Sequence, residues 1–370
     1  MANNNDKKVL NVPALRFPEF TGEWEKCKLS KVCSFFSGGT PTSSNKEYYN
    51  GNIPFIRSGE LHNDETELFI TKEGLDNSAA KMVEVGDLLL ALYGATSGDI
   101  AISKIKGAIN QAILCIRTKQ NKKFVESVWN KHVARLLQTY LQGGQGNLSA
   151  DIVKNISFYF TNIEEQNKQA RFISLLDQRI AAQNKIIEKL QSLIKGIAQN
   201  IVLRNKPNVR ISQCLECSSS TLQDSDVLEY GAYPVYGANG VVGFLDNYNT
   251  SNEAIYIIKD GSGVGAVSYV AGKCSATGTL NILQAKKGFS LRYLYYLLNI
   301  FNFEPYKTGM AIPHIYFKDY GKAQIFCPSY SEQLKYAKFL ATVDGKLLTE
   351  QNVLINLSLQ KQYLLRQMFI

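Results

Sequence analysis

The chain reads as an α+β protein built twice: two similar globular domains separated by two long antiparallel helices forming a coiled coil, a pseudo-twofold internal repeat. Three observations predict this. The stretch from Thr161 to Arg204 keeps a coiled-coil pattern far beyond the usual length of a globular helix. Laid on the closing stretch Ser331 to Ile370 at one constant offset, it gives identical pairs at Glu165/Glu332, Gln166/Gln333, Lys168/Lys335, Ala170/Ala337 and Phe172/Phe339, and again at Asp177/Asp344 and Leu190/Leu357. Each copy also follows a stretch of short β-type runs with the same glycine punctuation.

In order, residues 1–20 form a polar N-terminal segment and 21–160 a first domain. Within it WEKCKLSKVCSFF alternates like a strand and stops at Gly38, Gly39 and Pro41; GNIPFIRSGEL follows at 51–61. The apolar run Leu88 to Leu92 reads as a buried strand ending in the loop GATSG, residues 94–98. Residues 124–141 have helical spacing, with Val125, Val128, Leu136, Leu137 and Tyr140 available for one face. The stretch GGQGNLSADIVKNISF then supplies a loop and a last strand.

The first spacer helix, 161–205, opens on Asn162 and Glu165, a capping box in which the short side chain caps and the acid reaches back. Its seam is Ile173, Leu176, Ile180, Gln183, Ile187, Leu190, Ile194, Ile197 and Ile201. The second domain, 206–328, replays the order with YPVYGANGVVGF at 233–244 and AIYIIKDGSGVGAVSYV at 254–270; Gly261 and Gly265 match Gly94 and Gly98. Helix LRYLYYLLNIF and the stretch KTGMAIPHIYFKDYGKAQIF complete it, with Asp319 and Phe326 matched to Asp151 and Phe158 after a one-residue slip. The second spacer helix, 329–370, opens on Ser329 and Glu332 and carries Leu340, Val343, Leu347, Glu350, Leu354, Leu357, Lys361, Leu364 and Met368. One helix enters the second domain and the other leaves it, so side-by-side pairing must be antiparallel. Gln183 and Glu350 fall near the middle of their helices and are expected to meet and set register.

The chain has 370 residues, 45% hydrophobic and 20% charged, a composition that fits a packed globular protein and excludes disorder. No apolar run approaches a membrane span and the first residues lack an apolar signal segment, so a cytoplasmic location is expected. Seven scattered cysteines form no disulfide framework, and the lone pair Cys214/Cys217 has no second pair or histidine at zinc spacing, so no metal is expected. The net charge of +9 hints at a polyanionic partner. It divides as +3 over 1–160, +4 over 161–206, zero over 207–330 and +2 beyond, so no segment is a basic tail.

Catalytic signatures are missing. Gly272-Lys273-Cys274 lacks both the upstream glycine and the hydroxyl of a phosphate-binding loop. GATSG and GSGVG precede β-type sequence, not the helix a dinucleotide site needs. Asn52-Ile53-Pro54-Phe55 lacks a proline of the base-methylating motif. Asp64, Glu65 and Glu67 read as a solvated loop, and His62, His132 and His314 stand far apart. No catalytic residue is assigned.

These motifs together resemble the specificity subunits of type I restriction–modification systems: GNIPFIRSGEL in one half, YPVYGANGVVGF in the other, a glycine loop after each buried strand, EEQ and SEQ at the helix entries, and the closing KQYLLRQMFI. Two departures stand out. A proline precedes only the second helix entry, and Lys361 interrupts the second seam. The resemblance implies two target recognition domains that each read half of a split double-stranded DNA target, with the helices setting the gap. It implies no chemistry in this chain. The partners it implies are two adenine methyltransferase subunits using S-adenosylmethionine and restriction/translocase subunits using ATP and magnesium. A methyltransferase-only complex or a stand-alone DNA-binding scaffold is the alternative.

Base edges and phosphates call for Arg, Lys, amide and hydroxyl side chains on loops. The candidates for DNA contact are Arg57, Tyr93, Thr96, Ser97, Gln145 and Asn147 in the first domain and Tyr236, Asn239, Lys259, Ser262, Lys307 and His314 in the second.

Overall fold

The computed structural model describes residues 10–141 and 148–370. Its two longest elements are helices, Ile163–Leu203 and Tyr330–Met368. The chain divides into one unit of residues 1–182 with 354–370 and another of 183–353, so each unit holds a globular domain and a stretch of both helices.

In the first unit a four-stranded antiparallel sheet runs in the order Cys33–Ser37, Ile113–Thr118, Leu88–Ala91, Ile100–Ile102. All four side chains of Leu88–Ala91 are fully buried, as expected for a central strand covered on both faces. Against the sheet lies the helix Lys122–Leu141, through Phe124, Val125, Val128, Trp129 and Leu136. Tyr140, assigned to that face from its spacing, is instead exposed. A second sheet places Tyr49–Ile56 parallel to Gly107–Ile109, pairing Phe55 with Ala108 and Ile56 with Ile109. The strand Ser157–Phe160 pairs with Glu25–Lys28 and leads into the first long helix.

The second unit repeats this plan. Its four-stranded sheet runs Leu215–Ser219, Leu280–Ala285, Glu253–Ile258, Val267–Ala271, and the helix Leu291–Leu298 packs on it through Leu291, Leu294, Leu297 and Leu298. The ladders agree residue by residue. Leu88 pairs with Ile116 and Ile102, and at the offset that carries Glu165 onto Glu332 their equivalents do the same: Ile255 pairs with Leu283 and Tyr269. The parallel pairing of Phe55 and Ile56 recurs at Val235 and Tyr236, which face Ser275 and Ala276. Pro54 and Pro234 therefore occupy one position, and the motifs around them are structural equivalents.

The one-residue slip before the second long helix does not occur. Lys28 pairs with Ser157 and Arg210 with Gln324, and Ser157 stands to Gln324 at the same offset as Glu165 to Glu332, so Phe158 corresponds to Ile325 and not to Phe326. Ladder hydrogen bonds fix the correspondence here; the matching letters were coincidental.

Within each unit the long helices run antiparallel. In the first, Lys361 Nζ lies 2.6 Å from Asp177 and Gln169 Nε2 3.4 Å from the Met368 carbonyl, so positions later on one helix meet earlier positions on the other. In the second, Gln183 Nε2 donates to the Glu350 carbonyl at 3.0 Å and to its carboxylate. Every seam position named from the heptad pattern is buried or half-buried. The helix entries divide the capping box between them. Asn162 Oδ1 accepts from the Glu165 amide at 2.9 Å, but the Glu165 carboxylate turns to Arg16; Glu332 does reach back, accepting from the Ser329 amide at 3.2 Å.

Candidate nucleic-acid interface

Each central strand ends in a five-residue glycine loop with the same backbone. Gly94 and Gly98 have φ of +87° and +86°, Gly261 and Gly265 of +93° and +90°, a region side chains other than glycine rarely enter. The Gly98 amide donates to the Ala91 carbonyl at 2.9 Å and the Gly265 amide to Ile258 at 2.8 Å, closing each loop over its strand end. A Cβ on Gly98 would also stand 2.8 Å from Val133, so the loop sits tight on the helix behind it, and Trp129 Nε1 donates to the Gly98 carbonyl at 2.8 Å. Beside each loop a returning segment is tied by one bond at matching positions: Leu148 amide to Leu92 carbonyl at 2.8 Å, Ile315 amide to Lys259 carbonyl at 2.9 Å. Rigid strands thus present a glycine loop beside a returning segment in each unit, the arrangement that positions contact residues.

In the first unit Thr96 and Ser97 lie on the glycine loop, but the Ser97 hydroxyl donates to the Leu92 carbonyl at 2.9 Å and so helps hold the turn. Tyr93 packs partly against the core, and burial pushes its hydroxyl pKa up. Arg57 is half exposed, yet its guanidinium is engaged by Glu60 at 2.9 Å and Glu67 at 2.8 Å. The surrounding cleft of about 540 Å³ includes Glu65 and Asn63, an acidic lining unsuited to a phosphate. Gln145 and Asn147 lie outside the described residues. Sequence reasoning set His62 aside, whereas its ring nitrogen lies 2.9 Å from Asp99 at the end of the glycine loop and Lys104 Nζ donates to its carbonyl at 2.8 Å. Lone polar residues gave no signal that they would meet.

In the second unit Lys259, Ser262, Lys307 and His314 come together. The Gly261 amide donates to the Pro313 carbonyl at 3.0 Å, His314 and Thr308 exchange backbone hydrogen bonds at 2.7 and 2.9 Å, and His314 Nδ1 lies 2.6 Å from Asp260. Lys307 is tied to Glu304, whereas Lys259 makes no ion pair among the described residues. Tyr236 lies in the neighbouring strand Tyr233–Gly237, edge-on to Tyr256, and lines a cleft of about 330 Å³ with Ile258, Val267 and Tyr269. Asn239 is exposed in the tight turn before Gly240. Met310 and Ile312 project from the same loop as His314, at 107% and 58% exposure; the turn-like sequence around them gave no hint of this apolar tip.

The contact-type residues are cations, amides, hydroxyls and aromatic rings, suited to phosphates and base edges. Among the described residues no group of three or more His, Cys, Asp or Glu side chains is placed to hold a metal, and no helix is long and apolar enough to cross a membrane.

A family model described as the type I restriction modification DNA specificity domain matches residues 21–192 and again 208–357. Over 374 residues, 87% of this chain and 88% of the relative, the sequence is 20% identical to the EcoprrI specificity subunit of Escherichia coli, described as part of a type I restriction enzyme. It is 24% identical over 192 residues to the type I MjaVIII specificity subunit of Methanocaldococcus jannaschii, an alignment spanning half of this chain and 43% of that relative. The alignment to the MjaIX subunit of the same organism likewise spans under half of it, 42%. Among solved structures, the S subunit of a type I restriction–modification system from M. genitalium superposes with a TM-score of 0.65 at 17% identity, covering 97% of this chain and 99% of that one, a likeness of fold.

Proposed function

The chain belongs to the type I restriction modification DNA specificity family, and from that premise we propose that it is the sequence-reading subunit of a type I restriction–modification complex, doing no chemistry itself. Each domain reads one half of a bipartite duplex target, and the paired helices set the number of unread base pairs between the halves. The observation that carries this reading is a duplication: the same glycine loop and the same returning segment, tied at the same offset, in both units. A duplicated reading head suits a target with two half-sites, where spacing follows from protein geometry. Two methyltransferase subunits with S-adenosylmethionine would modify adenines of the target, and restriction/translocase subunits would supply ATP- and magnesium-dependent cleavage.

Mapping methylated adenines in cells with and without this protein tests the reading. A split motif that disappears with the protein is expected; an unchanged methylation pattern overturns it. In purified complexes Lys259→Ala should weaken DNA binding and lower the slope of log affinity against log salt by about 1, as loss of one phosphate contact does. Lys307→Ala should lower it less, because Glu304 already neutralises that ammonium.

A further inference from the structure

Three of the residue pairs identical between the two long helices are engaged in one unit and exposed in the other. In the first unit residues 15–19 form a strap over the start of the first long helix. Arg16 forks onto Glu165 through Nε and Nη2, 2.7 Å each, and the carboxylate is completely buried. Phe17 stands edge-on to Phe172 with ring centroids 6.0 Å apart. Glu19 pairs with Lys168, whose ammonium also lies over the Phe17 ring at 4.7 Å. The Leu15 amide donates to the Gln367 carbonyl at 2.9 Å.

The second long helix carries the same three side chains at the same spacing: Glu332, Lys335 and Phe339. Positions i, i+3 and i+7 fall on one stripe of a helix. Here the stripe is exposed. Phe339 is 56% exposed, Glu332 accepts only from its own cap, Ser329, and neither Glu332 nor Lys335 makes an ion pair among the described residues.

We propose that Glu332, Lys335 and Phe339 form a docking site for a segment of a partner protein with the chemistry of the strap: an arginine followed by an aromatic residue, with an acid two positions beyond. Residues 15–19 show how such a segment binds, since each of its three side chains meets a residue present in both helices. A charge-assisted fork, an edge-to-face aromatic pair and a second ion pair together select that pattern over a generic apolar peptide. A second copy of the chain is a poor occupant, because its strap would have to abandon a buried carboxylate, leaving an unpaired charge. Among the described residues the site occurs once, so it breaks the repeat's symmetry and marks one long helix for one partner. It is independent of the DNA-reading proposal.

A fluorescein-labelled peptide of residues 12–21, titrated into the full-length chain and followed by anisotropy, tests this. Saturable binding is expected, weakened about tenfold or more, equivalent to at least one ion pair or ring contact, by Glu332→Lys and by Phe339→Ala. A peptide carrying Arg16→Glu should restore binding to the Glu332→Lys chain. Both positions are exposed, and unchanged thermal unfolding will verify that the variants fold. Absence of saturable binding, or equal affinity for both variants and the parent chain, overturns the proposal. Because no DNA is present, the result does not depend on what the loops read.

Discussion

Arg57 was assigned to DNA because a loop arginine forks well onto guanine or phosphate, but the fold directs its fork to Glu60 and Glu67. Its type and loop position were legible in the sequence; its partners were not, since Glu60 meets it only once the turn after Ile56 closes. Glu60 is the more informative residue. Burial alone would raise its carboxyl pKa, but hydrogen bonds from the Arg57 guanidinium and amide, the Glu67 amide and the Thr66 hydroxyl outweigh burial and hold it at about 2 against an ordinary 4.5. A depressed folded pKa contributes stability that is fully present above the unfolded value and is lost as pH falls through the folded one. Glu60→Gln should therefore destabilise the chain at pH 7 by about 1–3 kcal/mol, the cost of breaking a buried, hydrogen-bonded charge. Urea unfolding at stepwise lower pH should show the gap between parent and variant shrinking below about pH 4.5 and closing near pH 2. A gap that stays constant from pH 7 to 3 contradicts the assignment.

At the scale of elements, the long helices were the most legible feature because their heptad spacing recurs along the whole of each seam despite polar Gln183, Glu350 and Lys361. What the period could not show is how an irregular seam position is satisfied. Lys361 breaks the pattern, and the structure supplies its partner: Asp177, 2.6 Å away, which also takes Lys123 from the domain's own helix at 2.6 Å. Its repeat mate Asp344 ties the second domain's helix in the same manner but more loosely, with Tyr296 Oη at 3.2 Å and Arg292 at 3.7 Å. The identity of this pair, visible in sequence, thus marks where each domain is fastened to the long helix that follows it. Asp177→Asn takes the acid from partly buried Lys361 and leaves Lys123 with Glu126 alone, and should cost about 1–3 kcal/mol in chemical denaturation. Asp344→Asn should cost less, since its neighbours are a neutral hydroxyl and a more distant guanidinium. Equal effects of the two substitutions would separate the pair's identity from its fastening role.

At the scale of the whole molecule, one constant offset carries the central ladders, the glycine loops and the long helices of one half onto the other, from Leu88 onward. That much was readable because strand alternation, glycine placement and heptads are local patterns. The loops proposed to read DNA were less so. The stretch from Ser37 to Leu88 is longer than its counterpart from Ser219 to Ile255, and within it one half builds the Arg57 turn while the other makes a tight hairpin. Loops of different length share no pattern, so under the proposed function a base preference could not be carried from one half to the other. Under the proposed function the gap between half-sites is a different matter, because the helices and their register would set it. Selecting from a DNA pool in which both half-sites are present but the intervening length varies should recover one spacing for the parent complex. Replacing both Gln183 and Glu350 by alanine removes the hydrogen bonds between the helices at that level, and polar core positions act on register more than on stability. The double variant should then accept neighbouring spacings while still requiring the same half-sites. Lys259→Ala, which alters a loop proposed to read DNA, should weaken binding at every spacing without widening the choice. If the double variant keeps the parent's single spacing, register is set elsewhere along the seam.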